Sequence, residues 1–182
     1  GPDSVALCHF LSRHAQALDL EEIHAVIVDH GIRRESAAEA HRVQKHLKNF
    51  PKTKPVILKI EQDISGNRLQ EQARTKRYEL LSGYCKDHDI SLLLTAHHMD
   101  DQAETVLFRL AKGSGLDGLS GILPVQTFGE EGPVILRPLL EIPKSDLIQY
   151  CRMNSLKYVA DPSNENERFA RPRLRAAKEA LE

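Results

Sequence analysis

The densest group of reactive side chains in the sequence lies between residues 95 and 105. Helical spacing puts Asp101 and Glu104 one turn apart on one face of a helix, whereas His97 and His98 belong to the loop before it. That loop follows an apolar strand, and ligands of open α/β sheets bind at the carboxyl ends of the strands. Two carboxylates and two imidazoles therefore converge where a binding site is expected.

Two other interpretations of this cluster stay open. Asp100 and Asp101 can be ordinary acids at a helix N-terminus, where the helix dipole favours them, with the histidines as polar loop residues. Alternatively, imidazole and carboxylate groups together can form a hydrolytic metal site. The sequence has no second His/Asp cluster to supply the remaining ligands, so we favour a functional site of another kind.

The residues Gly1, Pro2, Asp3 and Ser4 form a turn that leads into an apolar helical pattern. The free amides and the dipole at a helix N-terminus bind phosphate groups, so these four residues are a candidate phosphate site. A plain helix N-cap, with Asp3 or Ser4 as the capping residue, is the simpler interpretation of so short a stretch.

Basic residues form two further groups. Solvated helix faces are the usual explanation for such groups, and contact with a phosphate backbone or with a nucleotide phosphate is the functional alternative. The first group is Arg68, Arg74, Lys76 and Arg77, and the second is Arg168, Arg171, Arg173, Arg175 and Lys178.

A third candidate motif, G-x-G-x-x-G, occurs at Gly113, Gly115 and Gly118. The dinucleotide-binding fingerprint needs a strand before the turn, whereas these glycines follow a helix. We therefore predict a loop at a helix C-terminus, either structural or closing on a substrate.

The elements that position these residues alternate between helices and strands. Apolar runs predict strands at 23–28, 56–60 and 91–96, and helical patterns begin near residues 4, 36, 68, 100 and 143. Such alternation implies right-handed β-α-β crossovers and a parallel, three-layer α/β sheet. The strands read as nearly continuous apolar runs, which is typical of strands covered on both faces.

The helix that follows Asp100 has the clearest pattern, because its apolar residues have the spacing of a stripe that faces the core. We expect Asp100 to cap it. The stripe consists of Ala103, Val106, Leu107, Leu110 and Ala111.

Length and composition limit the classes of protein. The 182 residues with 41 % hydrophobic content suit one globular domain, and a net charge of −1 leaves any attraction to nucleic acid to local basic clusters. The three cysteines (Cys8, Cys85 and Cys151) include no C-x-x-C pair, which disfavours zinc and iron–sulfur sites and suggests a reducing compartment. No apolar run reaches the roughly 18 residues of a membrane span, so we expect no membrane association.

Taken together, the motifs resemble those of the tRNA(Ile)-lysidine synthetases, a family of the PP-loop ATP pyrophosphatase superfamily. The resemblance covers nearly the whole chain and keeps the family's motif order. The matching stretches are 1–4, 28–36, 73–78, 95–105, 113–119, 137–140 and 161–164. Pro172 departs from the family, which usually has Asn there.

The resemblance implies a three-layer, Rossmann-like parallel sheet of the PP-loop adenine-nucleotide hydrolase type. The chain would start inside the PP-loop, without the family's first strand. Residues 1–157 would form the catalytic domain and residues 158–182 a basic helical extension of it.

The resemblance also implies a reaction in which ATP, with Mg²⁺, adenylates the wobble cytidine of tRNA(Ile) with a CAU anticodon. L-lysine then replaces AMP. The implied catalytic residues are Asp3, Arg77, His97, Asp101 and Glu104. The implied ATP-binding residues are Gly1, Pro2, Asp3, Ser4, Asp29, His30, Arg77 and His97, with Asp3 as the Mg²⁺ contact.

Asp101 and Glu104 would orient the lysine ammonium group, and the implied tRNA contacts are Arg74, Arg171, Arg173 and Arg175. A homodimer and a cytoplasmic location, or an organelle matrix in a eukaryote, are further expectations. Two alternatives stay open: a PP-loop ligase of the 2-thiocytidine type, which needs a cysteine pair that this sequence lacks, and a relative that binds tRNA or nucleotide without catalysis.

Overall fold

The computed structural model describes residues 1–29, 36–60, 69–111, 113, 120–130 and 132–159. Helices and strands alternate along most of these residues, which confirms the predicted α/β class. The helices are α1 (Pro2–His14), α2 (Ser36–Leu47), α3 (Leu69–Asp87), α4 (Met99–Ala111) and α5 (Lys144–Met153). The strands are β1 (Ile23–Asp29), β2 (Thr53–Lys59), β3 (Leu92–Leu94), β4 (Val125–Thr127) and β5 (Val134–Leu136).

The described strands form two hydrogen-bonded sheets. β1 and β2 pair in parallel, in a register that runs from Ile23 opposite Thr53 to Asp29 opposite Lys59. In the other sheet β5 lies between β3, to which it is parallel, and β4, to which it is antiparallel. The predicted parallel pairing is confirmed for β1 with β2 and for β3 with β5, and β4 adds an antiparallel strand that the sequence did not predict. β4 and β5 have three residues each, too few to show a strand pattern in the sequence.

Helix α1 lies at the centre of the core. Val5 and Cys8 pack with residues of α2 and with Phe50, while Ala6 packs with Leu147 and Cys151 of α5. The apolar residues predicted to make this helix amphipathic thus serve two separate contacts. Packing on both sides fixes the direction in which α1 starts, and its start is part of the candidate site.

The strands are less covered than their apolar sequences predict. Most side chains of β1 and β2 are only half-buried, and Leu92 at the start of β3 is 43 % exposed. The expectation of strands buried on both faces was therefore wrong for these residues.

Helix α4 forms as predicted, but its predicted orientation was wrong. Leu107 and Leu110 are 45 % and 58 % exposed, whereas Glu104 is buried. Polar contacts hold the polar face inward: the Gln102 side-chain amide donates to the Ile122 carbonyl at 3.1 Å and accepts from the Ile122 amide at 2.5 Å. These paired hydrogen bonds outweigh the apolar pattern in setting the rotation of the helix.

Two further predictions concern the domain boundary and the membrane. The predicted basic extension at 158–182 lies largely outside the described residues, so that domain boundary stays a prediction. None of the helices within the described ranges is long and apolar enough to cross a membrane.

Candidate active site at the start of three helices

Helices α1, α4 and α5 begin close to one another. Gly1 is the N-cap of α1 and Pro2 is its first residue, and no side chain caps the free amides of the first turn. The prediction that Asp3 or Ser4 caps this helix was therefore wrong. Proline suits the first helical position because its φ angle is already helical and no amide hydrogen is needed there. The uncapped amides keep their capacity to bind an anion.

His98 is buried among three carboxylates that come from two helices. Its Nε2 atom lies 3.4 Å from Asp101 Oδ2 and 3.8 Å from Asp3 Oδ2, and its Nδ1 atom lies 3.7 Å from Asp100 Oδ2. Neither His98 Nδ1 nor Asp3 Oδ1 has a hydrogen-bond partner, although both atoms are buried. Buried polar atoms are normally satisfied, so this cluster has hydrogen-bonding capacity left for a ligand.

The two adjacent aspartates have different structural roles. Asp101 Oδ2 accepts a hydrogen bond from the His98 amide at 3.1 Å, the contact that a third helical residue makes back to the N-cap. Asp100 Oδ2 accepts from the Lys144 amide at 3.1 Å, at the start of α5. The prediction that Asp100 caps its own helix was wrong, since it lies inside the first turn of α4 and binds the first amide of α5 instead.

Glu104 and Asp101 share one side of α4, as the helical spacing predicts, and in the structure this side faces inward. Glu104 is 7 % exposed, and the Asp101 side chain is 19 % exposed. Carboxylates that are partly removed from water attract a cation more strongly than exposed ones do. The pair is therefore suited to bind an ammonium group and to accept its proton.

His97 is a neutral hydrogen-bonding group at pH 7. Its Nδ1 atom lies 2.8 Å from the Thr95 hydroxyl. Burial, with a smaller contribution from nearby arginines, lowers the pKa of His97 to about 4, although the Asp101 carboxylate acts in the opposite direction. In the tautomer in which Nδ1 accepts from the Thr95 hydroxyl, the proton of the neutral imidazole lies on Nε2, from which it can be donated in a hydrogen bond to a phosphate oxygen.

Three arginines surround His97. The guanidinium carbons of Arg74 and Arg77 lie 5.3 and 5.4 Å from the ring centroid of Tyr78, on α3. Tyr78 stacks on Phe128 at 5.7 Å, which joins α3 to the connection between β4 and β5. Together with Arg137 after β5, these arginines act electrostatically on His97, so positive charge surrounds this edge of the sheet.

The other predicted site residues that the structure describes lie at the end of β1 or at the start of α1. Asp29 is buried at the end of β1, where it accepts a hydrogen bond of 2.6 Å from the Ser36 hydroxyl. Gly1, Pro2 and Ser4 lie at the start of α1. The predictions for His30, Arg171, Arg173 and Arg175 fall outside the described residues.

The arrangement fits Mg²⁺ bound through a single protein carboxylate. The Oδ1 atom of Asp3 is buried without a partner beside the free amides of α1. Mg²⁺ commonly takes one or two carboxylates and completes its coordination with water and phosphate oxygens. In the described part of the chain, no three His, Cys, Asp or Glu side chains are placed so that they could hold one metal ion together. The alternative of a hydrolytic His/Asp metal site therefore gains no support from these residues.

Two site residues have no role in the sequence-based predictions. His98 lies beside His97, so the motif contained it without distinguishing the two histidines. Arg137 follows β5, a strand too short to be recognised from its pattern, and its position next to β3 depends on that pairing.

Comparisons with known proteins agree with this geometry. A family described as a PP-loop domain matches residues 1–178. The chain is 41 % identical over 172 residues to the tRNA(Ile)-lysidine synthase of Wolbachia pipientis wMel, covering 94 % of this chain and 39 % of that protein. It is 43 % identical over 175 residues to the tRNA(Ile)-lysidine synthase of Methylobacterium nodulans, covering 96 % and 50 % respectively. The chain thus spans half the length of these relatives or less.

Solved structures support the fold. The U34-tRNA thiolase NcsA from Methanococcus maripaludis, solved with its [4Fe-4S] cluster, superposes with a TM-score of 0.72 at 16 % identity over 100 % of this chain and 69 % of that one. A phosphoadenylyl-sulfate reductase from Candida auris gives a TM-score of 0.52 at 12 % identity over 87 % and 70 %.

Proposed function

We propose that this chain, which belongs to the PP-loop domain family, is the ATP-binding catalytic part of a tRNA(Ile)-lysidine synthase-like ligase. The main structural support is that Asp3 and Asp101 both lie within 4 Å of the buried His98 imidazole, at the free amides of α1. A phosphate-binding helix start and a pair of carboxylates suited to an ammonium group are thereby adjacent. The two half-reactions of such a ligase need these two environments side by side.

In the first half-reaction, the oxygen on carbon 2 of the wobble cytidine attacks the α-phosphorus of ATP. The bond to pyrophosphate breaks, and negative charge grows on the leaving group. The amides at the start of α1 bind phosphate oxygens, and Asp3 would hold Mg²⁺, which would supply positive charge to the pyrophosphate leaving group. His97 donates a hydrogen bond to the α-phosphate, and Arg77 supplies positive charge beside it.

In the second half-reaction, the lysine amine attacks carbon 2 and AMP leaves with the electron pair of the broken carbon–oxygen bond. The amine must lose a proton before it can attack. Asp101 and Glu104 orient the ammonium group and accept that proton.

The tRNA is the macromolecular substrate, and its backbone requires positive charge on the protein. Arg74 on the exposed side of α3 supplies one phosphate contact. Contacts from Arg171, Arg173 and Arg175, which lie outside the described residues, stay predictions. We place the reaction in the cytoplasm, where bacterial tRNA is modified. Homodimer formation stays a prediction.

The rival 2-thiocytidine ligase gains little from the structure. The likeness to the thiolase NcsA concerns the fold alone, at 16 % identity. Cys8, Cys85 and Cys151 are all buried free thiols. Burial raises the pKa of the Cys8 thiol to about 11, which suits a residue of the core rather than a nucleophile.

Pyrophosphate release by the full-length protein tests the proposal. With ATP and tRNA(Ile) of CAU anticodon, we expect pyrophosphate release without lysine, and AMP release only after lysine is added. A tRNA with a different wobble base should release neither product. Nucleotide binding without pyrophosphate release would favour the non-catalytic alternative, and a requirement for a sulfur donor instead of lysine would favour the thiolation alternative.

A further inference from the structure

Arg137 is a buried cation without an acidic partner among the described residues. The residue is 3 % exposed. Its Nη1 donates to the Leu123 carbonyl at 2.6 Å and its Nη2 to the Gln126 side-chain oxygen at 3.2 Å, while Nε has no partner. Both acceptors are neutral, so the positive charge of Arg137 is not neutralised by these contacts.

The sheet register places Arg137 next to the candidate site. Leu93 of β3 is paired with Ile135 of β5, and Thr95 and Arg137 each follow one residue after the end of their strand. The Thr95 amide donates to the Leu136 carbonyl at 3.0 Å, so the two chain segments stay side by side at this point. Residues two apart in a strand share a face, and neighbouring strands lie roughly 5 Å apart. Arg137 and Thr95 are therefore neighbours on one face, and Thr95 contacts His97.

A buried charge without a counter-ion costs stability, because desolvation is not compensated by ion pairing. Proteins retain such a charge where it acts on a ligand of opposite sign. Arg74 and Arg77 approach the same histidine from α3 and add positive charge there. Among the described residues, the carboxylate that acts against these arginines on His97 is that of Asp101. The balance of charge around His97 is thus positive and suits a phosphate group.

We propose that Arg137 is a positioning residue whose fixed, buried positive charge strengthens the binding of a nucleotide phosphate above β3 and β5 without touching it. The proposal rests on the proposed function for the identity of the nucleotide. A charge held below the surface is screened little by salt. Its hydrogen bonds to residues 123 and 126 keep it in place, so it needs no reorganisation when the ligand arrives.

Binding of adenosine, AMP and ATP to the full-length protein by calorimetry tests this role. We expect Arg137→Gln to weaken the binding of AMP and ATP roughly tenfold, because a fixed charge beside a phosphate site contributes on the order of 1–2 kcal/mol to binding. Adenosine, which has no phosphate, should bind within about twofold of wild type. Arg137→Lys, which keeps the charge, should restore most of the AMP affinity.

A second variant leaves Arg137 and its contacts intact. Gln126→Glu places a carboxylate at the oxygen that accepts from Arg137 Nη2, and Gln126 is exposed. We expect the affinity for AMP and ATP to fall roughly three- to tenfold and the affinity for adenosine to stay the same. Thr127→Glu is the matched control, because it adds the same charge one residue along β4 on the opposite face, and it should change none of the three affinities.

The outcomes separate the two proposals. An equal loss of affinity for adenosine and AMP in the variants would show that Arg137 only holds the β4–β5 hairpin in place. This result would overturn its electrostatic role. Unchanged affinities in both variants, or equal effects of Gln126→Glu and Thr127→Glu, would overturn it as well. Failure of the wild-type protein to bind ATP at all would contradict the proposed function instead.

Discussion

Two clusters in this molecule each contain a histidine beside carboxylate groups, and they differ in how the histidine is hydrogen-bonded. In the amino-end cluster, defined as Glu22, His24, Tyr84 and His88, both ring nitrogens of His24 have short contacts: 2.8 Å to the Tyr84 hydroxyl and 2.7 Å to the Glu22 carboxylate. In the carboxyl-edge cluster, defined as Asp3, His98, Asp100 and Asp101, the His98 nitrogens lie 3.4–3.8 Å from three carboxylates.

The two clusters also differ in how far their histidines are exposed to solvent. The His24 side chain is 14 % exposed beside a half-exposed Glu22, whereas the His98 side chain is 3 % exposed. Water can reach the half-exposed Glu22 carboxylate, but it cannot easily reach the His98 imidazole. Hydrogen-bonding capacity that is buried and unused is costly unless a ligand completes it. The contrast indicates that the amino-end cluster is structural and the carboxyl-edge cluster functional.

The largest effect is expected from Asp101→Asn. Removing the carboxylate that orients and deprotonates lysine should lower lysidine formation at least a hundredfold, while some pyrophosphate release remains. Lysidine in the product tRNA and released pyrophosphate are measured in the same reaction. Equal loss of both products would show that Asp101 does not act specifically on lysine. Asp3 and Asp101 would then not serve the separate half-reactions proposed for them.

A second test uses the pH dependence of stability. His97 has its pKa lowered from 6.5 to about 4 in the folded protein, mainly by burial. Between those values the unfolded chain binds a proton at residue 97 that the folded chain does not bind, so acidification destabilises the fold.

The His97 contribution is complete above pH 6.5 and is lost as the pH falls towards 4. His97→Gln should therefore flatten the stability profile in this window by on the order of 3 kcal/mol. Urea denaturation of both proteins at several pH values measures the difference. Parallel profiles would mean that His97 is not the buried neutral group described above.

Making the same substitution in each cluster compares the two histidines directly. His98→Gln should lower kcat/KM roughly ten- to a hundredfold, because it removes the group that aligns Asp3 with Asp101. His24→Gln should cost about 1 kcal/mol of folding free energy through its two hydrogen bonds and leave kcat/KM unchanged. If His24→Gln impairs turnover as much as His98→Gln does, the two clusters do not differ in function.

The smallest effect is expected from Glu22→Gln. The Glu22 side chain is 50 % exposed, and an exposed carboxylate contributes at most about 1 kcal/mol through its charge. The free energy of unfolding should fall by about 0.5 kcal/mol or less, with activity unaltered. A drop of several kcal/mol would place the amino-end cluster among the main supports of the fold.

The sequence predicted most of the helices and the long strands correctly, because these elements have enough residues to show a period. It predicted that Asp101 and Glu104 share a face, which depends only on helical spacing. It did not predict which face of α4 points inward, since the Gln102 contacts with Ile122 depend on the chain segment after residue 120.

Tertiary features of the site were less predictable. No local pattern places Asp3 beside His98, almost a hundred positions later in the chain. The neutral state of His97 arises from burial and from arginines on two other elements, so its charge could not be read from the motif. The role of Arg137 depends on β5, whose three residues show no period.

Mass spectrometry of tRNA(Ile) with a CAU anticodon tests the central claim most directly. The full-length protein is incubated with ATP, Mg²⁺ and lysine, and the anticodon nucleosides are then examined. The account predicts that the wobble cytidine becomes lysidine and that Asp101→Asn prevents this change. An unmodified cytidine in the presence of active, ATP-binding wild-type protein would contradict it.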